Sequence, residues 1–301
     1  VPAAATAPGV AIPAVIALVR PDRLEDLNVR SPNKAMTGRA SAHDELAFLS
    51  TVHDPAGRLL TALDERGDCV GSYRRIHVAV TDATDPRVSE RLRARDAIVE
   101  IRPPGSVGAA MRSVLGAAVT AGHAAYFYCD LDRWLHWAGS FPDELDGLPG
   151  LLAARWSTAW YVCIGRTARA FATHPPVQRA AEAATNRALS LAARRRLDAT
   201  AGACWLSREG AKLVLAGSTE QTKATDLEWP ALILKEDRRR RGGVTLEGLE
   251  FETAEFHGPE VAAAGGIAAW LRLAYDRPEV WRDRLRLAAD SVDALTRVLG
   301  Q

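Results

Sequence analysis

The sequence predicts an α/β fold: a mostly parallel central sheet with helices on both faces, built as one large domain with a C-terminal helical extension. Three observations carry that expectation. Short apolar runs alternate with helical stretches through the first half of the chain, and the turns between them are short, the pattern of strand–helix–strand units. One apolar run, residues 124–129 (AAYFYC), ends abruptly in Asp130 and Asp132. Near the end of the chain, Trp281, Leu285, Ala288, Val292, Leu295 and Leu299 step by four and three, which puts them on one helical face.

Taken in order, residues 1–13 (VPAAATAPGVAIP) are rich in proline and alanine and lack a basic start, so they read as a flexible tail rather than a signal peptide. Residues 14–19 (AVIALV) predict a first strand, stopped by Arg20 and Pro21. Residues 21–53 are expected to form a long polar loop with one helical turn. Asp54 and Pro55 suit an N-cap followed by proline in the first turn, opening a helix to about residue 65. A second strand at 75–80 (RIHVAV), a short helix at 86–94 and a third strand at 97–101 follow. Pro103-Pro104-Gly105 turns the chain into a helix over 107–121, which Gly122 ends before the strand that carries the two aspartates.

Beyond Asp132 the alternation is less regular. A helix is expected at 149–157, a buried strand at 159–164 (AWYVCI) and a long alanine-rich helix at 176–197. A short strand at 201–206 contains Gly202, where a missing side chain allows close approach of another group. Ser207 caps the next helix, to about residue 215. The arginines within 237–243 (DRRRRGG) have no interleaved aromatic residues, so they suit a solvated turn better than a nucleic-acid surface. Residues 244–252 resemble a strand. The final helical stripe suits packing on the body of the chain or on a second copy in a homodimer.

Composition removes several classes of function. With 48% apolar and 25% charged residues the chain is globular, and its formal charge of +1 provides no global field for nucleic acid or an anionic membrane. No uncharged apolar run approaches the ~20 residues needed to span a bilayer. Cys69, Cys129, Cys163 and Cys204 are far apart and lack metal-ligand spacing; reduced thiols in a cytoplasmic protein are the expectation.

Asp130 and Asp132 stand at the carboxyl end of a buried strand, where open α/β sheets bind ligands. Two carboxylates separated by one residue suit a hard cation, Mg²⁺ or Mn²⁺, that keeps positions open for the phosphate oxygens of a nucleotide diphosphate. The same spacing also fits a strand end capped by solvated acids.

The order of these pieces resembles the GT-A fold of nucleotide-diphospho-sugar glycosyltransferases, in particular family 2-like members. Asp130-Leu131-Asp132 is similar to the family's metal motif. Residues 104–112 (PGSVGAAMR) resemble the segment leading into the helix before it. Residues 78–82 resemble the strand whose terminal acid, here Asp82, meets the nucleotide base. Residues 224–230 (ATDLEWP) look like the acidic segment that supplies a base in inverting members. The long loop after the first strand, and Ser113 where many relatives carry asparagine, depart from the pattern.

That resemblance implies a metal-dependent transfer of a sugar from a nucleotide-diphosphate sugar to an acceptor hydroxyl, with inversion if an acidic residue serves as base and with retention if none is needed. Residues 14–137 would then be the nucleotide-binding half, 138–260 the acceptor-binding and catalytic half, and 261–301 the C-terminal helices. Asp132 is the expected metal ligand, with Asp130 on metal or ribose and His257 completing the shell. Arg20 and Arg112 would pair with phosphate oxygens. Asp226 and Glu228 are the candidate bases, with Trp229 as an apolar platform for a sugar face. A capping pair before Pro230 is the structural alternative for the two acids. His136 reads as a helix-surface or packing residue. His174, Gln178, Glu182 and Asn186 recur every four residues, which fits a solvated polar face or the lining of an acceptor cleft. Two other functions use a similar layout. A nucleotidyltransferase that makes nucleotide sugars would carry a glycine- and lysine-rich loop where this chain reads Val19-Arg20-Pro21-Asp22-Arg23. A non-catalytic nucleotide-sugar-binding protein would bind without turnover.

Overall fold

The computed structural model describes residues 46–68, 73 and 75–300, which fall in one compact unit. Among these residues seven strands, β1 (Leu46–Val52), β2 (Arg75–Thr81), β3 (Ile98–Arg102), β4 (Ala125–Cys129), β5 (Tyr161–Arg166), β6 (Ala203–Ser207) and β7 (Arg241–Leu246), form one sheet in the order β3-β2-β1-β4-β6-β5-β7. The first four are parallel, β6 runs antiparallel to both β4 and β5, and β7 is parallel to β5. The chain moves outward from β1 to β2 and β3, then returns to place β4 on the other side of β1. Such a reversal opens a crevice at the carboxyl ends of the two central strands.

Twelve α-helices cover the sheet: α1 (Leu60–Arg66), α2 (Pro86–Arg93), α3 (Val107–Thr120), α4 (Leu131–Ser140), α5 (Pro142–Arg155), α6 (Ala168–Ala172), α7 (Pro176–Ala193), α8 (Arg208–Gly217), α9 (Thr225–Asp237), α10 (Gly258–Ala263), α11 (Ile267–Tyr275) and α12 (Pro278–Gly300), counted among the described residues. Because successive strand residues face opposite ways, each central strand feeds two cores. Phe48 and Phe127 pack under Trp134 and Trp137 of α4 and Leu148 of α5. Leu49, Tyr126 and Tyr128 pack on the other face under Met111 of α3, Leu189 of α7, Trp229 of α9 and Leu295 of α12. Burial on both faces is why β4 reads as an unbroken apolar run.

Several expectations change here. Residues 46–52 (LAFLSTV) are β1, the strand beside the site, rather than part of a long loop; the fully buried Ser50 is small enough not to interrupt a central strand. The strand expected at 14–19, the tail, Arg20 and Cys69 lie outside the described residues. Asp54 caps a turn rather than a helix, accepting from the amides of Arg58 and Leu59 at 2.9 Å each, and α1 begins later. α5 starts at Pro142, a proline tolerated where the helix needs no amide donor, and Pro149 lies inside it. α7 ends at Ala193 because Arg194 turns left-handed at φ 53°. The last strand is Arg241–Leu246, so Arg241 is sheet and not turn. The terminal stripe packs within the chain against α7 and α9, through Ser291, Ala294, Leu295 and Val298, while Leu285 is exposed. Cys129, Cys163 and Cys204 are buried free thiols. Among the described residues no helix is long and apolar enough to cross a membrane.

Gly210 locks α8 onto the sheet. A Cβ there would lie 2.0 Å from the carbonyl oxygen of Trp160, the acceptor for the Ser207 amide at the end of β6. Gly210→Ala is therefore expected to destabilise the protein by about 1–3 kcal/mol through overpacking, read as a lower midpoint in thermal or denaturant unfolding. An unchanged midpoint would show that the contact relaxes at no cost.

Candidate active site

Asp130 stands where β4 stops. Residues 126, 128 and 130 share a strand face, so the Tyr128 hydroxyl donates to Asp130 Oδ1 at 2.9 Å and lies 3.0 Å from Thr51 Oγ1 on β1. The Asp130 amide donates to the Gly202 carbonyl at 3.0 Å. Gly202 has φ 70°, and a Cβ on it would sit 2.6 Å from Asp130 Oδ2, so the approach of β6 requires glycine on both counts. Lys223, from the loop before α9, donates to both Asp130 oxygens at 2.7 and 2.8 Å.

Burial opposes both of these charges, yet each stabilises the other. Lys223 and Arg133 hold the Asp130 carboxyl below its ordinary pKa, and Asp130 holds the Lys223 ammonium well above its own. Asp132, in the first turn of α4, is pushed the other way: burial, Glu252 and Asp130 raise it to about 7. Asp226, in the first turn of α9, also rises to about 7, chiefly through burial, with Asp130 and Glu182 adding and Lys223 opposing. Two carboxyl groups that titrate near neutrality thus flank one that stays ionised. Functional sites often show this separation.

Two cavities meet over these side chains. One, of about 220 Å³, is lined by Thr51, His53, Asp54 and Arg58 from the β1 side and by His257. The other, of about 340 Å³, is lined by Arg133, Gln178, Glu182, Asp226, Glu252 and Arg284. Asp130, Asp132, Lys223 and Thr253 belong to both. In the walls of the larger cavity, Arg133 Nη1, Gln178 Oε1 and Glu252 Oε2 are buried and bond no protein atom. Buried polar atoms are rarely left in this state unless something else satisfies them.

A divalent cation fits part of this site. The raised Asp132 carboxyl and the orphaned Glu252 oxygen mark an excess of negative charge that a cation relieves, and His257 lines the same cavity as Asp132. Asp130 is already neutralised by Lys223. Among the described residues no three His, Cys, Asp or Glu side chains are grouped to hold an ion by themselves, so an ion here would draw its remaining ligands from phosphate oxygens or water.

Of the residues singled out from the sequence, Asp130, Asp132, Asp226 and His257 line the joined cavities. The others do not. Glu228 is 1% exposed and accepts from the amides of Thr219 and Glu220 at 2.8 and 3.1 Å and from the Ser218 hydroxyl, so it holds the loop between α8 and α9 and is not placed to act as a base. Trp229 is equally buried, edge-on to Tyr128 and donating to Ser218 Oγ, so it offers core packing rather than a sugar platform. Arg112 donates to the Glu220 carbonyl and braces the same loop instead of meeting phosphate. Asp82 is exposed in the turn after β2 and lines neither cavity. Arg20 lies outside the described residues. His136 is a packing residue, bonded to Glu255 and Glu250.

His174, Gln178, Glu182 and Asn186 do not form a solvated face: all four are buried. Gln178 lines the larger cavity and His174 bonds the Ala170 carbonyl; for Glu182 and Asn186 the reason is Arg166, on β5. Its guanidinium bonds Asp198 through Nε and Nη2 at 2.8 Å each and Glu182 through Nη1 at 2.6 Å, while Asn186 donates to Asp198 and Thr200. Lys223, Arg133 and Glu252 are site residues that motif reading passed over. A signal for Lys223 was present: it is one of four lysines in an arginine-rich chain and lies three residues before Asp226.

The sheet order, the switch point and the strand end carrying Asp130 define the GT-A class of α/β scaffold. No protein-family model matches the sequence, and neither does any curated protein. Among solved structures the chain is similar to glucosyl-3-phosphoglycerate synthase from Mycobacterium tuberculosis. Its complex with Mn²⁺, uridine-diphosphate-glucose and glycerol 3-phosphate aligns at 15% identity over 90% of this chain and 87% of that one, with a TM-score of 0.53. Its complex with uridine-diphosphate aligns at 14% identity over 90% and 86%, with a TM-score of 0.52. At that identity the likeness establishes a shared fold.

The pH dependence of stability follows from the two raised carboxyls. Each binds its proton more tightly when folded, so between pH 3.8 and about 7 the unfolded chain releases protons that the folded chain keeps. Stability therefore falls as pH rises through that window and levels above it. Asp132→Asn should flatten the fall and raise the melting temperature at neutral pH without divalent ions. Parallel pH profiles for variant and wild type would show that Asp132 is not raised.

Proposed function

We propose that this protein is a divalent-cation-dependent glycosyltransferase that moves a sugar from a nucleotide-diphosphate sugar to an acceptor hydroxyl, with inversion at the anomeric carbon. The observation that carries this reading is the meeting of two cavities over Asp130, Asp132 and Lys223 at the switch point of a GT-A sheet. The smaller cavity takes the donor diphosphate and the larger one the sugar and acceptor. In this reading 14–137 is the nucleotide-binding half and 138–260 the acceptor half, although Lys223, Thr253, Phe256 and His257 of the latter also line the smaller cavity and Arg284 joins the larger one from the C-terminal helices.

In the transfer, the bond between the anomeric carbon and the diphosphate oxygen breaks as the acceptor oxygen attacks from the opposite face. Asp226 accepts the acceptor's proton, and a carboxyl poised near 7 suits that task at neutral pH. Lys223 sits where negative charge grows on the leaving diphosphate. A cation held by Asp132 and His257 supplies Lewis-acid stabilisation of that charge when bound. Arg284 and the unbonded Nη1 of Arg133 are cationic groups among the acids of the larger cavity, and they suit an acidic group on the acceptor. The synthase of similar fold is described with UDP-glucose, Mn²⁺ and glycerol 3-phosphate, which makes these the first compounds to test.

A thermal-shift panel of UDP-, GDP-, ADP- and dTDP-sugars with Mn²⁺, Mg²⁺ or chelator ranks donors by mass action. Stabilisation by one donor, dependent on the metal and lost in Asp132→Ala, is expected; no stabilisation by any donor would sink the reading. Asp226→Asn should bind the donor as wild type does but turn over about 10²–10⁴-fold more slowly. Product of inverted configuration is expected by NMR, whereas retained configuration would leave Asp226 to hold the acceptor and not to deprotonate it. Binding with no turnover on any acceptor would favour a nucleotide-sugar-binding protein.

A further inference from the structure

A second, larger groove lies behind the Arg166 network. It encloses about 790 Å³ between the C-terminal half of α7, the edge strand β7 and the outer end of β5. That volume is in the range of small-molecule sites. Its rim carries Arg187, Arg194, Arg195 and Arg196, all exposed. Among the described residues none of the four is in an ion pair, and Arg195 alone has a side-chain partner, the face of Trp156. Among the described residues Asp198 is the one carboxylate in the groove, and it is already bonded by Arg166 and Asn186. Among the described residues the rim is thus a set of guanidinium groups without carboxylate partners. Beside it the wall is apolar: Phe171, Val244 and Leu191, the last 60% exposed despite its size.

From this juxtaposition we infer a second ligand site, for a phosphorylated amphiphile whose phosphoryl group meets the Arg187–Arg194–Arg196 rim and whose apolar chain lies against Leu191, Phe171 and Val244. Guanidinium forks match phosphate oxygens in pairs, and their weak hydration lowers the cost of bringing them together. A lone charge cluster would be satisfied by solvent; an exposed leucine beside it in a concave wall is the feature that selects a ligand with both characters. The site is separate from the candidate active site. Arg166, Asn186 and Asp198 face the groove, Glu182 and Thr200 face the larger catalytic cavity, and the bonds among these five side chains make the wall between them. The inference stands whether or not the protein transfers sugars.

The test uses dihexanoyl phosphatidic acid as a monomer, titrated into the full chain by calorimetry. Wild type is expected to bind it, more weakly as salt rises. The triple variant Arg187→Gln, Arg194→Asn, Arg196→Gln should lose about tenfold or more in affinity; asparagine is chosen at 194 because it tolerates the left-handed backbone there. Leu191→Ser should weaken binding of the lipid but leave binding of inorganic pyrophosphate at the rim unchanged. Circular dichroism and the melting temperature confirm that each variant is folded. Undiminished binding in the triple variant overturns the inference, as does loss of binding in Asp132→Ala, which would move the ligand to the catalytic cavities. Co-sedimentation with phosphatidylcholine vesicles containing phosphatidic acid, without binding of the monomer, also overturns it, since the arginines would then be a membrane-facing patch and not a ligand site.

Discussion

The pairing of Asp130 with Lys223 holds the site together. It joins three separate pieces of chain: the end of β4, the turn into β6 through Gly202, and the loop that starts α9. A half-buried ion pair of this kind costs desolvation on both sides and is repaid only when geometry is good and the remaining oxygens are bonded. Here both oxygens of Asp130 face the ammonium, the Tyr128 hydroxyl supplies a further donor, and the backbone amide is tied to the Gly202 carbonyl. Removing either partner would strand a charge and loosen the contact on which both cavities close.

That arrangement also distributes charge. Lys223 satisfies Asp130, which leaves Asp132 facing Glu252 and Asp130 with too little positive charge nearby, and its carboxyl rises toward neutrality. Arg133 lies between these acids with one nitrogen still unbonded. The molecule therefore carries, next to one settled ion pair, a set of unsettled groups on the cavity wall. A folded chain tolerates such groups at a cost, and a bound ligand or cation is the usual compensation. The contrast with Arg166 is instructive. There every bond is made inside the protein, and the result is a bonded partition between the two cavities at the end of β4 and the arginine-rimmed groove.

Much of the scaffold was legible because its signals are local. The run from Ala125 to Cys129, the cap at Ser207 and the glycine at 202 each have a meaning that depends on a few neighbours. β1 was missed because Ser50 and Thr51 break its apolar run, and only a sheet with both faces covered makes a buried serine acceptable in a central strand. Glu228 and Trp229 were misread for a related reason. An acid and an indole beside Asp226 look alike in a sequence, but the turn of α9 sends Asp226 toward the cavity and the other two into the loop and the core.

By itself the sequence determined the alternation of strands and helices, the two-faced burial of β4 and the position of an acidic pair at its tip, because those depend on residue type and spacing. The tertiary structure alone decided that Lys223 neutralises Asp130, that burial and neighbouring acids push Asp132 and Asp226 up to about 7, and that Glu182 and Asn186 of α7 are buried around Arg166. Each of these is set by groups far apart in the chain, and electrostatic energy depends on distance and burial in space rather than on order along the backbone.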